Sequence, residues 1–210
     1  MKTVVINAGP KRKDINAEVA RSAFKGAESG GSEVKYIDLY KLDLRGCMTC
    51  LICKKEGYEG RCYWRDEVSF LIEEILNSDC LIIAVPIFFS APASHYQALI
   101  ERLIYCIVSY ETGNSFKGKV NVGLFYTINY PKDYFEEYVR PHLKQSEDML
   151  NMLNGEVVIS SFENISKRQY SNTSPEGLET INEKEKHLSL DLKKAFDIAF
   201  NLVKTNDDGF

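Results

Sequence analysis

Runs of apolar residues alternate with amphipathic stretches along the whole chain. Val4-Val5-Ile6 is short, β-branched and continuous, the pattern of a strand covered on both faces. After a polar loop over residues 7–15, Asn16 can cap a helix with Ala20, Phe24 and Ala27 on one side, and Gly30-Gly31 ends it. Glu33 to Leu39 reads as a second strand. Asp66 caps a helix carrying Val68, Leu71, Ile72, Ile75 and Leu76 on a single stripe. Leu81 to Val85 is the most apolar run and belongs at the centre of a sheet. Pro86 to Ala91 reads as a loop, and Pro92 suits the first turn of a helix with Leu99, Ile100, Leu103 and Ile104 on its apolar face. Val120 to Tyr126 predicts a fourth strand, a helix follows Tyr130-Pro131 to about Leu153, and Glu156 to Ser161 predicts a fifth strand. Residues 162–179 are polar and irregular, too long for an ordinary connection, and a last helix covers about 182–203. Strands alternating with helices predict an α/β fold, a parallel sheet with right-handed crossovers. Five strands favour the flavodoxin-like order 2-1-3-4-5 in a three-layer sandwich.

Composition narrows the class. The chain has 210 residues, which suits one domain over 1–210, with 41–65 as an inserted loop and 162–210 as an irregular stretch plus helix. It is 44% hydrophobic and 27% charged, the balance of a soluble globular protein. A net charge of −4 leaves no footprint for nucleic acid or an anionic membrane surface. The longest apolar run, Cys80 to Phe89, is too short to cross a bilayer, and the opening residues do not form a signal peptide. A cytoplasmic setting is therefore expected, where cysteines serve as metal ligands or redox groups more readily than as disulfides.

In an open α/β sheet, ligands sit beyond the carboxyl ends of the strands. Three loops are expected to meet there. The first, residues 7–17, offers Gly9 and Pro10 for close backbone approach, Lys11 and Arg12 for charge, and a helix N-terminus at Asn16-Ala17, which together suit a phosphate. An ordinary βα loop with solvated lysines has the same composition. It is neither a G-x-x-x-x-G-K-[ST] nor a G-x-G-x-x-G loop, which disfavours an NTPase or a dinucleotide Rossmann domain. The second, Pro86-Ile87-Phe88-Phe89-Ser90, can wall a flat heteroaromatic ring, or its aromatics can be core packing at a strand end. The third places Thr127 and Asn129 beside the same edge, or is a plain turn.

Four of six cysteines, Cys47, Cys50, Cys53 and Cys62, form C-x2-C-x2-C-x8-C within the inserted loop, expected near the ligand-binding edge. The first part matches ferredoxin-type spacing, but the x3-C-P continuation is absent. Structural zinc favours two separated C-x2-C knuckles. A [4Fe-4S] cluster, zinc and free thiols all remain open. His95, His142 and His187 have no triad or metal spacing.

Asn7-Ala8-Gly9-Pro10-Lys11 with Asn16 resembles the N-G-S-P-R…N-T phosphate loop of the NADPH-dependent FMN reductase and iron–sulfur flavoprotein family. Pro86 to Ser90 is similar to its S-P-V-Y-F/W-x segment, and Phe125 to Asn129 to the Y-T-M-N loop of one subgroup. The resemblance covers about residues 3–153. It implies FMN held by Gly9, Pro10, Lys11, Arg12, Asn16 and Ala17 at the phosphate, with Pro86, Ile87, Phe88, Phe89, Ser90, Thr127 and Asn129 along the ring. It implies NAD(P)H as hydride donor, a quinone, flavin, protein or cluster as acceptor, and no side chain needed as acid or base. It also implies a homodimer or higher homo-oligomer, in which residues 162–179 would cover a neighbour's site. Departures stand at Gly9 and Ala17, where the family carries hydroxyls, and in the long gap before Cys62. An electron carrier of the same fold, and a non-enzymatic zinc or redox module, are the alternatives.

Overall fold

The computed structural model describes residues 1–163 and 175–205. Five parallel strands form the sheet: β1 (Lys2–Asn7), β2 (Glu33–Asp38), β3 (Cys80–Phe88), β4 (Val120–Ile128) and β5 (Asn154–Glu163), in the order β2-β1-β3-β4-β5. The predicted order is thus the observed one. The register pairs Val5 with Tyr36 and with Ile82, then Ile83 with Leu124 and Leu124 with Ile159. β3 and β4 are buried along almost their full length, which explains their unbroken apolar composition.

Both faces are covered. On one lie α2 (Glu67–Leu76), α3 (Ser94–Ile107) and the irregular α4, made of Lys132–Tyr134, a π-helical stretch Phe135–Val139 and Arg140–Asp148. Leu71, Ile75, Leu99, Leu103 and Phe135 fill this layer with the β3 and β4 side chains Leu81, Ile83 and Leu124. On the other face α1 (Ile15–Ser29) packs with the closing helix α5 (Pro175–Lys204) through Ala20, Ala23, Ala27, Ala195 and Ala199. Small residues bring these two helices together. A Cβ on Gly26 would stand 2.2 Å from the Phe196 carbonyl oxygen, so glycine is required there.

Several boundaries differ from the sequence reading, each for a local reason. Asp14, not Asn16, caps α1: its carboxylate accepts the Ala17 N–H at 3.0 Å. Asp66 caps α2 as expected, and Ser69 returns the bond to complete a capping box. β3 continues past Val85, because Pro86 still pairs with Thr127, and Phe88 turns back to pair with Ala91. Pro92 therefore lies in that short antiparallel return and not in α3. β5 runs on to Glu163 and α5 starts at Pro175, so the expected irregular stretch is shortened from both sides. The remainder, 164–174, lies outside the described residues.

Candidate functional site

The carboxyl ends of the strands are joined by a chain of polar side chains. Thr127, at the end of β4, donates its hydroxyl to Asn16 Oδ1 at 2.8 Å. Asn16 Nδ2 donates to Asn7 Oδ1 at 2.7 Å and to the Ala84 carbonyl of β3 at 3.0 Å. Asn7, the last residue of β1, donates in turn to Asp38 Oδ1 at 3.1 Å, at the end of β2, and to the Lys11 carbonyl at 3.2 Å. Asn16 and Asn7 are each 1% exposed and Thr127 4%, so this is internal structure. Buried amides satisfied on both ends fix geometry, because any alternative arrangement leaves a polar group unpaired.

That chain accounts for Gly9. Its N–H donates to Asn7 Oδ1 at 3.1 Å, and a Cβ there would lie 2.9 Å from Asn16 Nδ2. A serine at this position would collide with the network, so the missing hydroxyl follows from the knot beneath it. Ala17 is fully buried on α1. Pro10, Lys11 and Arg12 are exposed above. Arg12 stands 3.9 Å from Asp38, which also pairs with Lys41 at 2.8 Å. Burial alone would raise the Asp38 carboxyl. Hydrogen bonds from Lys41 and Asn7, with the charges of Lys41 and Arg12, hold it below the usual carboxylate range instead.

The second loop is a tight two-residue turn. Phe89 and Ser90 both have positive φ, 51° and 62°, between the paired Phe88 and Ala91. Left-handed backbone is unfavourable for non-glycine residues, and strain of this kind concentrates at functional sites. Pro86 and Ile87 are buried in the strand, while Phe88 is 40% exposed and Phe89 is fully exposed at 102%. The two aromatics are therefore not core packing. Ser90 N–H donates to Tyr130 Oη at 3.3 Å, bringing in the third loop, where Asn129 is exposed. Tyr130 was read as the end of the third loop but was not counted among the site residues; its place directly after Asn129 was the available signal. Asn7 and Asp14 were also missed. Asn7 reads as loop polarity until its contact with Asn16 is known, and Asp14 is an N-cap two residues earlier than the one expected.

The structure joins Gly9, Asn16 and Thr127 through hydrogen bonds, and joins Ser90 to Tyr130; Lys11 and Arg12 are exposed after β1, and Phe88 and Phe89 are exposed at the end of β3. An exposed aromatic pair and exposed cations on loops that leave the same edge of the sheet suit a ligand with a flat ring and an anionic tail.

The cysteine loop runs down α3. It begins near the strand ends, where Tyr40 stacks on His95 with ring centroids 3.7 Å apart. The thiols lie farther along than expected. Arg102 and Cys106 are about 12 and 18 Å along the helix axis from Ser94, at 1.5 Å per residue. Cys47, Cys50, Cys53 and Cys62, joined by Cys106 from α3, line a cavity of about 160 Å³. Buried Arg102 holds the loop: it donates to both Asp66 oxygens at 2.7 and 2.8 Å and to Cys62 Sγ at 3.2 Å. The Cys62 thiol is pulled down to about 5, first by a hydrogen bond from Cys106, then by Arg102 against the opposing effect of burial. Cys53 donates to the Tyr105 carbonyl at 3.3 Å. Among the described residues, no three His, Cys, Asp or Glu side chains are grouped closely enough to hold a metal ion. The donor set as arranged does not fit a cluster, since the thiols do not converge on one point.

Residues 1–164 match the family described as NADPH-dependent FMN reductase. The chain belongs to that family. Two curated relatives are iron-sulfur flavoproteins. One, from Methanocaldococcus jannaschii, is 25% identical over 59% of this chain and 62% of its own length. The other, from Archaeoglobus fulgidus, is 25% identical over 50% of this chain and 46% of its own. The chain thus spans about half to three fifths of the relatives it matches. Among solved structures, an NAD(P)H:quinone oxidoreductase from Methanothermobacter marburgensis superposes with a TM-score of 0.73 at 16% identity, covering 96% of this chain and 98% of the other. An FMN-dependent NADH-azoreductase from Bacillus anthracis, in complex with FMN, superposes at 0.60 with 18% identity, covering 97% and 100%. This family member therefore has the fold of flavin-dependent oxidoreductases. No described helix is long and apolar enough to cross a membrane.

Proposed function

We propose that this chain is an FMN-dependent oxidoreductase that accepts hydride from NAD(P)H and reduces a small-molecule or protein acceptor. The observation that carries the reading is the exposed Phe88–Phe89 pair on a strained turn at the carboxyl edge of the sheet, the edge from which the Lys11–Arg12 loop also leaves. Bound FMN would supply the hydride and electron transfer. Phe88, Phe89 and Ser90 would hold the ring against the Thr127–Asn129 side, and Lys11 with Arg12 would neutralise the phosphate. The Thr127–Asn16–Asn7–Asp38 chain would position the first and third loops, and the Ser90–Tyr130 bond would tie the second to the third. No side chain need move a proton.

Family membership, the relatives' printed descriptions and the FMN-bound neighbour support this reading. Flavin titration followed by fluorescence quenching, then NAD(P)H oxidation under air, tests it. Saturable quenching and steady NAD(P)H consumption are expected. Protein that leaves flavin fluorescence untouched overturns the proposal, and flavin binding without NAD(P)H consumption converts it to an electron carrier. The six free thiols suit a reducing, cytoplasmic setting. A homodimer is proposed from family likeness, and sedimentation at micromolar concentration tests it. Iron content of protein purified without oxygen tells whether the cysteine loop rearranges round a cluster.

A further inference from the structure

Phe89 and Ser90 are consecutive non-glycine residues that both have positive φ. That backbone is disfavoured for each of them, and such strain persists where the surroundings hold it. A hold comes from a different strand. Ser90 N–H donates to Tyr130 Oη at 3.3 Å, from a residue forty positions along the chain. Tyr130 is itself well anchored. Its ring is half-buried against the same apolar layer that contains Phe135, with its centroid 5.8 Å from that of Tyr134. Its backbone is confined on both sides. Pro131 restricts the residue before it to extended conformations. Thr127, three residues earlier, is tied through Asn16 into the buried polar chain. A tyrosine ring is set by two torsions, so a packed ring carries its oxygen to a defined point.

We propose that Tyr130 is a positioning residue for the ring-binding turn. Its hydroxyl accepts the Ser90 N–H and holds Phe88 and Phe89 in the orientation that meets the flavin ring. It acts through the Ser90 backbone. Without the hydroxyl the turn relaxes part of the time and the ring end binds more weakly, while the 7–17 loop is unaffected. The inference rests on the flavin reading above, and the exchange of one amide in the ligand-free protein keeps the two separable.

Tyr130→Phe is the informative variant, because it keeps the packed ring and removes the acceptor. Tyr134→Phe is its control: the neighbouring ring loses a hydroxyl that is not the one Ser90 donates to. Hydrogen exchange of the Ser90 amide is followed by NMR in ligand-free wild type and both variants, with Ile83 in the middle of β3 as reference. Dissociation constants for FMN and riboflavin are then measured by fluorescence quenching. In Tyr130→Phe the Ser90 amide is expected to exchange about threefold to tenfold faster, and both flavins to bind more weakly by a factor in that range, which is what one net hydrogen bond commands. Riboflavin lacks the phosphate, so an equal loss for the two flavins places the effect at the ring. Ile83 is expected to keep its rate to within about twofold, and Tyr134→Phe to match wild type throughout. An unchanged Ser90 rate overturns the proposal, and so does a faster rate with unchanged flavin constants. A loss confined to FMN overturns it as well, since the effect then lies at the phosphate. Equal losses in Tyr134→Phe, or faster exchange at Ile83, also overturn it, since they report the aromatic row or the whole fold and not the hydroxyl. In each of these cases flavin binding by wild type leaves the flavin reading intact. Wild type that binds neither flavin overturns that reading, and this inference with it.

Discussion

At the scale of single residues, the side chains that shape the candidate site mostly do so from below. Asn16 satisfies its whole amide within the protein, and Thr127 reaches it from another strand. Thr127→Val should cost about 1–3 kcal/mol in urea unfolding, because it leaves a buried acceptor unpaired. Flavin affinity should fall with it, although Thr127 donates inward. A second buried polar group behaves differently. Glu147 is 1% exposed, beside Tyr126 and 3.4 Å from Arg140. Burial raises its carboxyl above the ordinary range, against the pull of Arg140. Because the folded value lies above the unfolded one, the stability it lends is present at low pH and is lost as pH rises through the folded value. Glu147→Gln should therefore match wild type in acid and exceed it near neutral pH, read as Tm against pH.

At the scale of elements, the turn after β3 and the cysteine loop are the places where local rules bend. Phe89 and Ser90 adopt the backbone of a two-residue hairpin turn that glycine or asparagine would suit better. Ser90→Gly should stabilise the fold by about 1 kcal/mol in denaturant unfolding. The cysteine loop hangs on the Arg102–Asp66 pair, which also provides the cap of α2. Asp66→Ala removes the cap and leaves Arg102 unpaired while 3% exposed. A loss of about 3–5 kcal/mol is expected. Cys62 should then react more slowly than wild type with a thiol reagent at acid pH, because Arg102 no longer stays fixed beside its sulfur while the larger effect of Cys106 remains. These elements also show where the sequence was readable. The β3 and β4 cores announced themselves by unbroken apolar runs. The extension to Phe88 did not, because a proline and a turn signal at 86–91 look alike whether or not the ladder continues.

At the scale of the whole molecule, the parallel sheet followed from the alternation of strands and helices and its order from the count of five strands. What the sequence could not disclose was the division of labour among the residues of the three loops. Asn16 reads as a ligand in the motif and is a strut in the fold; Asp14 reads as solvated polarity and is the cap. The role of Asn16 depends on contacts 9 and 111 positions away, which no local pattern encodes, whereas the Asp14 cap spans three positions and was open to a local reading. The closing helix is equally nonlocal, resting on α1 through Gly26. Gly26→Ala should cost about 1–3 kcal/mol by forcing the Phe196 backbone away, seen as a lower urea midpoint. The polar chain from Thr127 to Asp38 has a wider consequence. It separates the frame of the crevice from its lining, so that exposed positions such as Lys11, Arg12 and Phe89 can be exchanged while the scaffold under them stays put. A chain organised this way can acquire a new guest by altering a few surface groups, with its foundations untouched.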